Sequence, residues 1–562
     1  MPRSSLLRII RQWSSAHAIA EHFGVTLGEL QDIRRENAPS RRDVLKGGSA
    51  LGAAALLGFA DGLRALPARA QTAPQIAIVG GGIAGLNAAL TLLDKGYVPK
   101  IFEASARLGG RMHSERSYWG GQVSEYCAEF IDSNHKTILK LVSRFGLSLT
   151  DVLASEPANS NETYYFQNNG YVTSPYYTFA QATLDFAPVY KAAKSDLTAA
   201  GYPTLWNNQN SAGQALDSMS VYDWIQTRVP GGISSAMGRL LNTAYDQEYG
   251  ALTTDQSALN IVYLLAYQPT PNQFSIYGVS DQRYHILGGN DRLPTAIASY
   301  LQDGGVPINT GYRLTSVAQS FGKVTLGFNG QTYPQAFDQV ILALPFAVLR
   351  NLDYSGAGFD RRKQAAITQL GAGKNTKLVL QFNNRYWNNL GPWGISNGDV
   401  YSDLGFTYDA GSDSYTDLGF QNTWDTTRGQ LGTAGLLTDY TGGGAAAAFA
   451  PSAPYTFASD QKTKKYAKAF LAELGNVFPG IGPSWDNKAI LSAPFLDPNL
   501  LLSYSYWRVG QYTSIAGYEA VAQGSIHFAG EHCSVDFQGY MEGAAAEGRR
   551  AGVEVYHALA GK

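Results

Sequence analysis

Apolar positions fall into two periods along the chain. Ile76–Val79 is a short apolar run, followed by Gly80-Gly81-Gly82-Ile83-Ala84-Gly85, a helix-like stretch through Leu93, and then Lys100-Ile101-Phe102-Glu103. That order reads as strand, turn, helix, strand. Further on, RLTSVAQ (313–319), KVTLGF (323–328) and QVILALP (339–345) alternate with period two and read as strands, as does KNTKLVLQFNNRYW (374–387). Near the C-terminus a strand ends at Gly530, and a helix rich in small residues opens at Gly539–Gly543. The pattern predicts a mixed α/β fold.

The glycine turn carries the first chemistry. Gly80 permits the tight turn, Gly82 lets backbone approach a pyrophosphate, and Gly85 lets the helix pack closely on the strand. The first N–H groups of the helix, at Ile83 and Ala84, then face the phosphates. Glu103 follows at about the twenty-residue interval at which a carboxylate accepts bonds from ribose hydroxyls, and it argues against a 2′-phosphate. Together these residues predict a dinucleotide site.

A chain of 562 residues, 44% hydrophobic and 12% aromatic, can bury a large core and predicts two domains. With 43 Lys plus Arg against 45 Asp plus Glu and no dense basic stripe, nucleic acid is excluded as a partner. Two cysteines, Cys127 and Cys533, without zinc-ligand spacing argue against a structural metal. They are expected as two separate buried thiols.

The first seventy residues read as an address. SRRDVLK (40–46) precedes a Gly/Ala/Leu stretch and then Ala68-Arg69-Ala70. Positive, apolar, small-x-small is the order of an export signal. The paired Arg41 and Arg42 resemble a twin-arginine signal, which implies the export machinery for folded proteins, cleavage after Ala70, and a periplasmic or secreted product. Asp61 and Arg64 interrupt the apolar run before it reaches the ~20 residues of a membrane span, so no stable insertion of the mature chain is expected. Residues 1–39 form a long leader with helical periodicity at Leu6, Ile9, Ile10 and Trp13.

Directly after Glu103, the run E-x-x-x-R-x-G-G-R, residues 103–111, resembles the signature of the flavin-containing amine oxidase superfamily of monoamine, polyamine and L-amino-acid oxidases. Further segments resemble that family in order: HILGGNDRLPTAIASYL (285–301), SYWRVGQYTS (505–514) and HFAGEHCSVDFQGYMEGAAAEGRRAG (527–552). The resemblance implies non-covalent FAD, since Gln511 stands where monoamine oxidases place a tethering cysteine. It implies a Rossmann-type domain from residues 71–132, 275–345 and 495–562, interleaved with a mixed-sheet and helical substrate domain from 133–274 and 346–494. By the same resemblance, Ala104, Arg107, Gly110 and Arg111 lie along the FAD phosphates and Leu314 meets the adenine. Gly530 and Glu531 reach the ribityl chain, and Met541 opens the helix that faces the pyrimidine edge.

The implied reaction is oxidative deamination of a primary amine, with hydride passing to the flavin, dioxygen accepting the electrons, and aldehyde, ammonia and hydrogen peroxide released. Residues 374–387 resemble the family strand that carries a single lysine, so Lys377 is expected beside the flavin, with Lys374 a solvated neighbour, and Tyr512 and Tyr540 are expected as two walls of an aromatic cage. Tyr164, Tyr165, Tyr249, Trp424 and Asp425 are further pocket candidates by composition. Cysteine replaces a glycine of the family in Glu125-Tyr126-Cys127-Ala128. No arginine between Arg116 and Arg144 supplies the carboxylate clamp of many L-amino-acid oxidases, which favours an amine over an amino acid. The alternatives are an L-amino-acid oxidase, a carotenoid- or protoporphyrinogen-type flavin desaturase, and a non-catalytic FAD-binding protein. A homodimer is the assembly this reading allows.

Overall fold

A computed structural model describes residues 73–166, 175–268, 274–403, 408–409, 414–415 and 419–561; the leader lies outside them. Five short strands form a parallel sheet in the order Ile526–Phe528, Gln339–Leu342, Ile76–Val79, Lys100–Glu103 and Ile308–Thr310. A parallel sheet is covered on both faces, which is why Ile76–Val79 is apolar throughout and fully buried. On one face the helices Ile83–Leu93 and Met541–Ala560 pack against each other. They meet at Gly548 and Gly552, where added Cβ atoms would lie 2.1 Å from the Ala84 carbonyl oxygen and 2.9 Å from that of Ala88. On the other face lies a three-stranded meander, Leu314–Ser320, Lys323–Phe328 and Gln335–Phe337, tied to the sheet by Phe102 stacking on Phe328 at 4.6 Å. Two of the three period-two runs therefore build the meander, and the third enters the parallel sheet.

An eight-stranded mixed sheet runs in the order Tyr455–Phe457, Trp485–Ser492, Asn375–Phe382, Gly435–Gly442, Asn422–Asp425, Ser396–Ser402, Asn161–Tyr165 and Tyr176–Tyr177. Its outer layer shows the local rules at work. The Gln461–Val477 helix starts where the Asp460 carboxylate accepts the Thr463 N–H at 2.9 Å, and it buries Thr463, Ala467, Phe470, Leu474 and Val477 at helical spacing. Pro479 and Gly480 follow and stop it. Its inner face sits with Leu378, Leu380, Phe382 and Leu491 in one apolar cluster.

Both sheets lie in one compact unit, residues 74–562. The register of the large sheet sets a row of facing residues across it: Lys377 opposite Tyr440, Tyr440 opposite Asn422, Asn422 opposite Tyr401. At ~4.8 Å per strand this row spans roughly 14 Å. It forms part of the wall of the cavity described next.

Candidate active site

A cavity of about 520 Å³ extends from the glycine turn to the large sheet. At one end it is lined by Gly80, Gly82, Ile83, Ala84, Glu103, Ala104, Arg107, Gly110, Arg111, Leu314, Gly530, Glu531, Tyr540 and Met541. The structure thus brings together nearly every residue proposed for the dinucleotide. Gly85 is the exception, lying behind the turn, where a Cβ would sit 1.9 Å from the Gly80 carbonyl oxygen. Its role is the close packing of helix on turn, not cofactor contact.

The geometry fits a dinucleotide. Two helices point their N-termini at this end, and neither N-cap, Gly82 or Tyr540, carries a capping side-chain hydrogen bond. At Gly82 an added Cβ would meet only Gly110 Cα at 3.9 Å, so a groove floored by glycine backbone is open to a ligand. Tyr540 Oη and both His532 ring nitrogens line the cavity, buried and without a hydrogen-bond partner. Burial brings the His532 pKa down to about 4, leaving a neutral ring beside Phe346.

The charged residues divide the work. Glu103 accepts the Gly81 N–H at 2.7 Å with one oxygen and the Ser105 N–H at 2.8 Å with the other, bracing the turn while still facing the cavity. Arg111 donates to Glu531 Oε1 at 2.9 Å and to the Ser503 carbonyl at 2.9 Å. Burial alone would raise the Glu531 carboxyl, but the Arg111 guanidinium and the Gly539 N–H, at 2.8 Å, hold it below the usual carboxylate range. Arg107 makes only a long bond to its neighbour's carbonyl, leaving its guanidinium open to the cavity.

At the other end, Lys377 on the Asn375–Phe382 strand is buried and lines the cavity. Its Nζ donates to Glu129 Oε2 at 2.6 Å and to the Glu125 carbonyl at 3.2 Å, and lies 5.3 Å from the Trp424 ring centre. Glu125 beside it is pushed up to about 8 by burial. Lys374 does not line the cavity.

Tyr512 is not in the cage. It lies outside the cavity, its ring 4.6 Å from Trp507 and 5.7 Å from Tyr263, its hydroxyl donating to Asn260 Oδ1 at 2.9 Å. Tyr504 lines the cavity instead, eight residues earlier, and its hydroxyl accepts from Tyr440 at 3.2 Å. The cause is the left-handed turn at Gly510, φ +79°, which starts the short helix Gln511–Ser514 and carries Tyr512 onto the buried Asp217 carboxylate, which its N–H reaches at 3.2 Å. With Trp424, whose ring is 5.1 Å from Tyr440, the walls are Trp424, Tyr440, Tyr504 and Tyr540. Of the compositional candidates only Trp424 lines the cavity. Tyr164, Tyr165, Tyr249 and Asp425 do not, Asp425 being tied to the Thr427 N–H at 2.7 Å.

Sequence reasoning missed Glu129, Tyr440 and Tyr504. Tyr504 had a signal, the alternation of Ser503-Tyr504-Ser505-Tyr506, whereas Glu129 and Tyr440 had none. Cys127 and Cys533 are both free thiols, as expected, but only Cys533 is buried and Cys127 is partly exposed.

Fold and site together have the form of an oxidoreductase, with a glycine turn and two helix N-termini at one end of the cavity and an aromatic-lined chamber at the other. Residues 83–556 match the model of the flavin containing amine oxidoreductases, and the chain belongs to that family; it is a flavoprotein oxidoreductase. Residues 38–58 match the twin-arginine translocation signal, marking the chain for export across the cytoplasmic membrane. Among the described residues no helix is long and apolar enough to cross a membrane. The chain is 23% identical to an L-amino-acid oxidase of Siganus canaliculatus, over 86% of each chain. It is 25% identical to a nicotine dehydrogenase of Pseudomonas putida, over 86% of this chain and 88% of the relative. The solved cyclohexylamine oxidase of Brevibacterium oxydans superposes with a TM-score of 0.69 at 20% identity, over 87% of this chain and 99% of that one, and so shares the fold.

Proposed function

We propose that the protein binds FAD non-covalently through a domain of residues 71–132, 275–345 and 495–562, and oxidises a primary amine in a chamber where this domain meets a substrate domain of residues 133–274 and 346–494. The products are an aldehyde, ammonia and hydrogen peroxide. The observation that carries the choice of amine over amino acid is the state of Arg428, the one arginine among the described residues lining the chamber end. Its Nη1 donates to Glu156 Oε1 at 2.7 Å, its Nη2 to Asp399 Oδ1 at 3.1 Å and its Nε to the Asp425 carbonyl at 3.3 Å. No guanidinium fork is left for a substrate carboxylate.

A bound flavin supplies the two-electron acceptor and its reoxidation by dioxygen. The chain supplies orientation and field. Tyr504, Tyr540, Tyr440 and Trp424 present ring faces that hold an amine and keep water out. Arg107 and the two helix N-termini offset the pyrophosphate and the charge that develops on reduction. The buried Lys377 ammonium stabilises negative charge forming on dioxygen.

Purified holoprotein mixed anaerobically with amines should lose its yellow colour and regain it in air, releasing aldehyde, ammonia and peroxide. Heat denaturation should release free FAD. Bleaching by L-amino acids with amines inert would refute the choice of substrate, and bleaching by lipophilic alkenes alone would favour a desaturase.

A further inference from the structure

We propose that Glu129 is the anchor for the substrate's ammonium group and the residue that discriminates amines from amino acids by charge. The inference rests on the amine-oxidase reading above and assigns it a specificity residue.

Glu129 lies in the loop that follows the buried Glu125 and Tyr126 and the half-buried Cys127 and Ala128, and Asn290 Nδ2 fixes its backbone by donating to its carbonyl at 2.6 Å. Its side chain is 7% exposed and lines the cavity. Oε2 is taken by Lys377 Nζ at 2.6 Å. Oε1 receives no hydrogen bond from any described residue. A buried carboxylate carrying a single donor is under-satisfied, since an ionised carboxylate accepts about four. The open oxygen belongs to the chamber and asks for a cationic donor.

Charge decides which guest fits. Glu129 and Lys377 together are neutral, so an arriving ammonium at Oε1 completes a plus, minus, plus arrangement. A carboxylate attached to the same carbon would meet Glu129 at close range with no free cation to answer it. Phe130, the next residue, adds an apolar wall, its ring 5.7 Å from Trp424. Glu162, Glu248 and Asp399 also line the chamber, with burial raising the carboxyls of Glu162 and Asp399, the latter to about 7, and with Arg428 engaged by Glu156 and Asp399. The ammonium is thus bound at the carboxylate, beside the aromatic walls.

The competing explanation is that Glu129 only positions Lys377, and the two roles give different readouts. The test uses wild-type, Glu129→Gln and Glu129→Asp holoenzymes. Three matched pairs differ only by the α-carboxylate: pentylamine and L-norleucine, phenethylamine and L-phenylalanine, cadaverine and L-lysine. Anaerobic stopped-flow bleaching gives the apparent Kd of each, and dithionite-reduced enzyme mixed with oxygen gives the reoxidation rate. The proposal predicts that Glu129→Gln weakens amine binding at least about tenfold and narrows the amine preference by a similar factor, as expected for loss of a charged hydrogen bond. Glu129→Asp, which keeps the charge, should retain most of the preference. Slower reoxidation with amine Kd within twofold of wild type would assign Glu129 to positioning alone and overturn the anchor. A wild type bleached by amines whose preference survives Glu129→Gln would overturn the anchor while leaving the amine reading intact. A wild type bleached by no member of the pairs, or preferentially by the amino acids, would overturn both. Should Glu129→Gln lose its flavin, Glu129→Asp decides: a tenfold loss of preference despite the retained charge overturns the proposal, and a preserved preference supports it.

Discussion

The two ends of the cavity are built by opposite strategies. At the glycine-turn end, most contacts come from residues close in sequence, Gly80–Ala84 and Glu103–Arg111, with Leu314, Gly530, Glu531, Tyr540 and Met541 added from distant segments. At the chamber end, Lys377, Tyr440, Trp424, Tyr504 and Glu129 come from five separate segments and meet because strand register and loop packing align them. A site made of local geometry tolerates little change in its small residues. A site made of long-range register tolerates drift in any one segment, and its specificity can move without altering the fold.

The sharpest break in this comparison should come from Gly548→Leu. A side chain there collides with the Ala84 carbonyl, forces apart the two helices whose N-termini line the cavity, and should cost ~3 kcal/mol or more. The expected product is aggregated or flavin-free protein, read from the ratio of absorbance at 450 and 280 nm. Retention of full flavin content would show that the helix pair is not held by that contact.

At the chamber end, Lys377→Met should leave flavin content intact and slow reoxidation by dioxygen roughly 100-fold, the usual consequence of removing one electrostatic stabiliser. Stopped-flow mixing of reduced enzyme with oxygen measures it. Equal rates in wild type and variant would remove the lysine from the mechanism.

A paired test separates the two tyrosines. Tyr504→Ala should lower kcat/KM about tenfold by opening the aromatic wall. Tyr512→Phe should leave kcat/KM within about twofold and cost ~1 kcal/mol of stability through the lost bond to Asn260. The reverse result would return Tyr512 to the cage.

The smallest effect concerns pH and lies behind the site. Burial raises Glu519 to about 7; its Oε1 accepts the Trp507 indole N–H at 2.8 Å while Oε2 has no partner. The folded state therefore keeps a proton that the unfolded chain loses near the ordinary glutamate value of about 4.5. Stability falls as pH rises from there to about 7 and levels off above. Glu519→Gln should raise the melting temperature at pH 8 by about 2–4 °C and change it by under about 1 °C at pH 4, measured by thermal unfolding. An equal change at both pH values would show that Glu519 does not titrate in this range.

The amino-acid sequence by itself determined the export signal, the mixed α/β class and the glycine turn. Each depends on residues within one turn or one strand, where spacing dictates geometry: Gly80, Gly82 and Glu103 could be placed because a strand-turn-helix admits few conformations. Lys377 was legible only through the resemblance of residues 374–387 to a family strand that carries a single lysine. The tertiary structure alone decided which tyrosines face the chamber and that Glu129 meets Lys377. Those outcomes depend on a left-handed turn at Gly510 and on register between strands far apart in the chain, and neither leaves a periodic trace in the residues it brings together.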